Sequence, residues 1–325
     1  MRVRSLLERS SLTQVIEIKG LRFRLFDRLL LTALRVIQRI SYPFVRNGFF
    51  WLHVMSTEDG KKSGMNQVLH LDDPTFLPSE KAGLKSWFLD LENLGKRGLV
   101  VCTFDGASEY VKSIDPRIEV EVIPQGYTPR KKVQKKFSRF SCVYSSPYIF
   151  DHGDSKIIHP TWSPIHFLED LLPRILQLDE AIDIHIVGRL GKNAASRLSN
   201  YEHIVLHGLV SPEMNAEIMA KCHVGLYPRV HDHGRRVLKI TEYLGAGLPI
   251  VAYNLEDTRL VAEKKLGFAV HTSEEFIDAI YRLMKDPILY KQIEDRVKEA
   301  SDGLDWDSLA KKLDAILITT KEHQS

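Results

Sequence analysis

H-V-G-L-Y-P-R-V-H-D-H-G-R-R-V-L-K-I-T-E-Y-L-G-A-G-L-P-I-V-A-Y, residues 223–253, decides the fold. It reads as strand, polar loop, helix, tight turn and strand. The apolar run Val224 to Leu226 is short enough for a buried strand, and Pro228 ends it. Gly234, Arg235 and Arg236 open a helix whose apolar side is Val237, Leu238, Tyr243 and Leu244. Gly245 and Gly247 close it, and Pro249 starts the β-branched run Ile250-Val251. Parallel strands joined by a helix bind ligands beyond the strand carboxyl ends, where helix amino ends point. Unpaired N–H groups and the helix dipole favour a phosphate there. Lys239 and Glu242 stand three residues apart and share one face of the helix. An ammonium suits a phosphate and a carboxylate suits a pair of sugar hydroxyls, so the two describe a nucleotide diphosphate with its ribose.

On these residues the stretch resembles the sugar-donor segment of GT-B glycosyltransferases, especially glycosyltransferase family 4 and its relatives (glycosyl transferases group 1). In them an L-x-P strand end leads into a helix ending E-Y-x-A-x-G-x-P-V-V-A. The matching residues are Leu226-Tyr227-Pro228 and Glu242-Tyr243-Leu244-Gly245-Ala246-Gly247-Leu248-Pro249-Ile250-Val251-Ala252. The resemblance implies an α/β protein of GT-B type, two Rossmann-like domains facing across a cleft. Many retaining members carry a second glutamate eight residues before the one matched by Glu242, and that position is Gly234. The pair is half present, which leaves a retaining or an inverting outcome open.

Composition fits this picture without requiring it. A chain of 325 residues suits two domains of ordinary size, and 44% hydrophobic with 27% charged residues is a globular balance. Cys102, Cys142 and Cys222 lie far apart with no C-x-x-C spacing, so neither a disulfide scaffold nor a zinc cluster is expected. A net charge of +3 excludes a nucleic-acid sponge. Residues 19–46 are nonetheless basic, with Lys19, Arg22, Arg24, Arg28, Arg35, Arg39 and Arg46 against Asp27 alone. Leucines lie between them and Phe49, Phe50 and Trp51 follow. No uncharged apolar run approaches the roughly 18 residues that span a bilayer. Residues 19–52 read either as a basic amphipathic surface on an anionic membrane or as a domain helix with a solvated arginine face.

Before the opening stretch, helical patterns fall near 2–10, 24–40, 80–95 and 105–112. Strand patterns fall at 14–18, 50–54, 68–71, 99–103 and 118–123. By the resemblance, a strand and a glycine-rich turn should come first, whereas this chain starts at what reads as the following helix. The N-terminal domain either lacks its first strand or begins downstream of it. His70-Leu71-Asp72-Asp73-Pro74 follows a strand and is similar to a Y-D-x-x-D-D stretch in a subset of these transferases. His70, Asp72 or Asp73 could take the proton from an attacking hydroxyl, and Asp-Asp-Pro is equally good turn chemistry. Val122-Ile123-Pro124-Gln125-Gly126-Tyr127 resembles the V-I-P-N-G-V-D that closes the first domain of the family.

The expected domains are 1–136 for the acceptor, 137–303 for the nucleotide sugar, and a terminal helix over 304–325 that packs back across the junction. In the second domain, Val143 to Ser145 reads as a strand and 162–177 as a helix. Ile186-Val187-Gly188-Arg189 resembles I-V-G-x-G: Gly188 would let the backbone approach a ligand and Arg189 could pair with phosphate. His207, Gly208 and Leu209 match the segment that holds the nucleobase edge in relatives. Ser211 and Pro212 cap the next helix. Tyr227 ends the strand of the opening stretch, Arg229 is either a sugar-donor ligand or a solvated residue, and His231 is on a loop expected to touch the sugar or phosphate. Three consecutive side chains diverge, so His231, Asp232 and His233 make a poor metal site. No metal or other cofactor is expected.

The activity implied is a hexosyltransferase-type, nucleotide-sugar-dependent transfer to an acceptor hydroxyl, in cell-envelope glycan or glycolipid synthesis. The expected place is cytoplasmic, at the inner membrane face, with a glycan or lipid-linked acceptor and no nucleic acid. A non-catalytic GT-B partner protein and a GT-B sugar-nucleotide epimerase are the alternatives.

Overall fold

The structure, a computed structural model, describes residues 50–54, 67–71, 98–103, 105–114, 116–117, 119–128, 135–154, 164–178, 182–230, 238–255 and 258–324. The helices expected at 2–10, 24–40 and 80–95, the strand at 14–18, and Asp72, Asp73, His231 and the helix opening at 234–236 lie outside these residues. The chain divides into two compact units, Met1–Pro124 with Trp306–Ser325, and Gln125–Asp305.

The first unit holds a parallel sheet of β1 (Phe50–Val54), β2 (Gln67–Leu71), β3 (Gly98–Cys102) and β4 (Glu119–Val122), paired in that order. Helix α1 (Asp105–Ile114) joins β3 to β4. Val100, Val101, Cys102 and Val111 are buried. The strands fall within a residue of their expected positions, because β1 to β3 are short and mostly apolar and β4 alternates polar with apolar residues.

The second unit is a six-stranded parallel sheet flanked by helices. Its strands are β5 (Ser141–Ile149), β6 (Asp183–Leu190), β7 (Ile204–Gly208), β8 (Val224–Tyr227), β9 (Ile250–Tyr253) and β10 (Gly267–Val270). Across the sheet they run β10-β9-β8-β5-β6-β7. The chain therefore starts in the middle, winds outward through β6 and β7, then crosses back to β8 and winds outward on the other side. That is the 3-2-1-4-5-6 order, whose reversal of direction opens a crevice between the first and fourth strands, here β5 and β8. All four residues of β8 and of β9 are buried, as expected for central strands covered on both faces.

Three of the described connecting helices are capped by a side chain. In α4 (Pro212–Lys221) the Ser211 hydroxyl accepts the Met214 N–H at 3.2 Å, with Pro212 in the first turn. In α7 (Ser273–Lys285) Thr272 accepts from Glu275 at 3.1 Å. In α8 (Pro287–Ser301) Asp286 accepts from Leu289 at 2.8 Å. The shorter helices are α3 (Lys192–Leu198), α5 (Leu238–Gly245) and α6 (Arg259–Glu263).

One expectation is refined and one is corrected. Within 162–177 the described helix, α2, is a π-helical turn, Phe167–Leu171, that tightens into Leu172–Ile175. Pro173 has no N–H to offer the carbonyl of Glu169 and its ring crowds that carbonyl, which the wider turn accommodates. Strand β5 runs past Ser145 to Ile149, with a register shift between Ser145 and Tyr148 that absorbs Ser146 and Pro147.

The last helix, α9 (Trp306–Gln324), belongs to the first unit. It buries Trp306, Leu309, Ala310 and Leu313, an i, i+3, i+4, i+7 stripe. Lys312 Nζ donates to the Val122 carbonyl at 2.9 Å. The second unit closes on its own ends: Tyr127 bridges Asp305, and the Tyr127 N–H donates to Leu304 O at 3.1 Å.

Candidate functional site

The seam between β5 and β8 is where this connectivity concentrates polar side chains. Leu226 and Tyr227 end β8, and Tyr144 pairs with Leu226, which brings Ser145 to the same level. Helix α5 lies over this edge with Lys239 in its first turn. Lys239 Nζ donates to Ser145 Oγ at 3.0 Å and to Glu242 Oε2 at 2.5 Å. The Lys239 and Glu242 side chains are only 15% and 25% exposed, so this is a sheltered ion pair. Ser145 Oγ in turn donates to Asn215 Oδ1 on α4 at 3.3 Å.

Tyr243 fixes the helix that carries the pair. Its hydroxyl donates to Leu226 O at 2.8 Å, with Val143 O also within reach at 3.3 Å, and it accepts the Ser145 N–H at 3.4 Å. Burial drives its phenol well above the ordinary value despite the Ser145 hydrogen bond, so it remains a donor. One phenol thus ties α5 to both strands of the seam. At the other end of α5, Gly247 N–H meets Leu244 O at 2.9 Å and Leu248 N–H meets Tyr243 O at 3.0 Å, a Schellman closure. Gly245 faces the Tyr127 ring, and a Cβ there would lie 2.2 Å from it.

Arg229 brings a second cation to this edge. Its guanidinium carbon lies 5.7 Å from the Tyr227 ring centre. Burial raises the Tyr144 phenol to about 12, against the lowering effects of its Ser146 hydrogen bond and the Arg229 charge, which places Arg229 within electrostatic reach of β5.

Of the other anticipated residues, Gly188, Arg189, His207, Gly208 and Leu209 lie at the ends of β6 and β7 in the same sheet, and two have evident local work. Gly188 has φ +147° and a Cβ on it would stand 1.8 Å from Ser146 O, so glycine is required by the bulge of β5. Arg189 is exposed, 6.0 Å from the Tyr148 ring centre. On β7 the His207 imidazole meets His185 Nδ1 at 2.9 Å, and Phe137 stacks on His185 at 4.4 Å. Burial and the His207 neighbour pull His185 down to about 4, and burial lowers His207, so one neutral ring donates to the other. Gly208 has φ +66°, and Leu209 after it is 67% exposed. His70 is in β2, in register with His53 and Val101, in the first unit.

The amino end of α3, next to Arg189, is already filled. Asp154 accepts from the Asn193 N–H at 2.6 Å, the Ala194 N–H at 2.9 Å and the Asp151 N–H at 3.0 Å. Burial favours its neutral form, but these backbone bonds outweigh that and hold the carboxyl below its ordinary value. Among the described residues Asp151, His152 and Glu169 bring ligand atoms within 4.8 Å of one another. The Arg197 guanidinium already bonds Asp151 at 2.5 Å and approaches Glu169 at 3.6 Å, which offsets one of the two carboxylate charges.

Sequence reading missed Ser145, Asn215, Tyr243 and Asp154 as polar anchors. Ser145 carried a signal, a hydroxyl where the apolar strand pattern stops. Asn215 carried none, since a mid-helix asparagine is indistinguishable from a solvated one.

Residues 157–286 match the family model described as Glycosyl transferases group 1. No curated protein matches the chain in sequence. Among solved structures it is similar to the pneumococcal O-GlcNAc transferase GtfA in complex with UDP and GlcNAc, at 12% identity and TM-score 0.57. That match covers 78% of this chain and 52% of the other, so the chain spans about half the length of that relative. Sucrose-phosphate synthase from Thermosynechococcus elongatus aligns at 14% identity and TM-score 0.62, over 98% of this chain and 83% of that one. A trehalose-6-phosphate structure from E. coli, bound with UDP-2-fluoro glucose, aligns at 12% identity and TM-score 0.60, over 97% and 81%. Among the described residues no helix is long and apolar enough to cross a membrane.

Proposed function

From the premise of a GT-B chain whose residues resemble glycosyl transferases group 1, we propose that it transfers a hexosyl group from a UDP-sugar to an acceptor hydroxyl. The observation that carries this reading is the sheltered Lys239–Glu242 pair at the β5–β8 seam, 2.5 Å apart. In the transfer, the bond from the anomeric carbon to the diphosphate breaks, the acceptor oxygen bonds that carbon, and the acceptor proton leaves. Negative charge builds on the departing diphosphate. Lys239, with Arg229 and Arg189 at the same sheet edge, neutralises it, an effect large where water is excluded. Glu242 holds the ribose hydroxyls, and Tyr227, Gly188 and His231 border the sugar and phosphates. His207, Gly208 and Leu209 border the base.

If the reaction inverts, His70, Asp72 or Asp73 takes the acceptor proton; if it retains, the departing diphosphate does. Side-chain cations do the work a divalent ion would do, so turnover persists in a chelator. The choice of uracil draws on the bound UDP and UDP-2-fluoro glucose in the similar structures. The acceptor is a glycan or lipid-linked sugar at the cytoplasmic membrane face, reached through the basic residues 19–52. Gly234, where a glutamate is usual in retaining relatives, favours one competing reading, a partner protein that binds the sugar nucleotide without turning it over.

Thermal unfolding with UDP, GDP and ADP tests the binding half of this. UDP at 100 times its dissociation constant should add about 2.7 kcal/mol of stability. If none of the three raises the melting temperature, the reading fails. Slow hydrolysis of UDP-glucose or UDP-GlcNAc without acceptor separates the enzyme from the non-catalytic partner.

A further inference from the structure

We propose that Ser145 and Asn215 are positioning residues that hold the Lys239 ammonium at the seam, an assignment that rests on the functional reading above. An ammonium has only hydrogens to give, so at 3.0 Å the Ser145 oxygen must accept from Lys239. The single hydroxyl hydrogen of Ser145 then points elsewhere, and Asn215 Oδ1 at 3.3 Å accepts it. The order is fixed in one direction, from Lys239 through Ser145 to Asn215. Each bond polarises the next, which makes the serine oxygen a better acceptor than an isolated hydroxyl.

The geometry gives this chain a task that Glu242 cannot perform. Glu242 is the charged partner of Lys239, yet it is also the carboxylate assigned to the ribose. When it turns to the hydroxyls, its hold on the ammonium loosens. Ser145 is only 6% exposed, on a central strand, with its N–H bonded to the buried Tyr243 hydroxyl at 3.4 Å. Its position is set by the sheet and does not change when Glu242 moves. Asn215, on a different helix, prevents the hydroxyl from rotating its hydrogen toward the ammonium. The pair therefore keeps the charge at the crevice while one hydrogen of Lys239 serves the diphosphate.

Calorimetric titration of wild type, Ser145→Ala, Asn215→Ala and Ser145→Thr provides the test. The probes are whichever of UDP, GDP and ADP binds wild type best, and the matching monophosphate. Ser145→Ala loses a hydrogen bond to the charged ammonium and should weaken diphosphate binding about tenfold; Asn215→Ala loses the neutral bond that orients Ser145 and should weaken it about fivefold, with the monophosphate weakened by about twofold or less in both. Ser145→Thr keeps the hydroxyl and should restore most of the loss. Two results would overturn the assignment alone: wild-type diphosphate affinity in both alanine variants, or equal losses for the two probes. A wild-type chain that binds no nucleoside diphosphate would overturn the functional reading, and this assignment with it.

Discussion

Lys239 places one hydrogen on Glu242 at 2.5 Å and one on Ser145 at 3.0 Å. A third remains for an incoming oxyanion. Removing the lysine deletes that charge and also leaves the sheltered Glu242 without its counter-ion. Lys239→Ala should therefore reduce turnover at least tenfold, about 1.4 kcal/mol. Because the two groups touch, their losses should not add. In a cycle of Lys239→Ala and Glu242→Gln read by nucleoside diphosphate affinity, we expect a coupling of about 0.5 kcal/mol or more. Independent, additive losses would mean the pair does not act as a unit. These two residues were legible because both stand in one short helix, three apart. Their third partner was not: Ser145 is 94 positions from Lys239, and only the strand order brings them together.

Helix α5 fits its unit through an exchange of volumes. The family pattern carries alanine where this chain has Gly245, and valine where it has Tyr127. A Cβ on Gly245 would meet the Tyr127 ring at 2.2 Å, so the larger ring and the smaller helix residue compensate each other. Gly245→Ala should destabilise the protein by about 1–3 kcal/mol through overpacking, even though alanine is the better helix former. Adding Tyr127→Val should recover most of that. Denaturant midpoints of the single and double variants check both statements, and a neutral Gly245→Ala would show that the ring moves aside freely. Sequence patterns placed the end of α5 and its flanking strands well because turn residues bound them. They stopped β5 short at Ser145 and did not show the π-helical turn of α2, because Pro173 and the Ser146-Pro147 bulge change the backbone without breaking the element.

At the scale of the molecule, histidines buried in neutral form lower stability in acid. Burial, with a nearby positive or titratable group, holds His185 and His223 at about 4 against an ordinary 6.5, and His166 and His207 are also lowered. In the unfolded chain these rings bind protons near pH 6.5, while the folded protein resists them. Stability is thus fully present above pH 6.5 and falls as pH drops toward 4. His185 alone, 5% exposed, should account for about 2 kcal/mol lost between pH 7 and pH 5. Melting temperature against pH for wild type and His185→Asn checks this; equal slopes would remove His185 as a contributor. No sequence rule identified this group, because its burial depends on Phe137 and His207 reaching it from separate segments.

The bridge between Tyr127 and Asp305 has a consequence for how the polypeptide is assembled. The second unit, Gln125–Asp305, is a single insert between Pro124 and Trp306 of the first, and its two ends are bridged to each other. An insert buckled at its own base holds its entry and exit one strand-pair apart, however many residues lie between them. Such a module could lengthen, shorten or be replaced over evolution while its host keeps the same two attachment points.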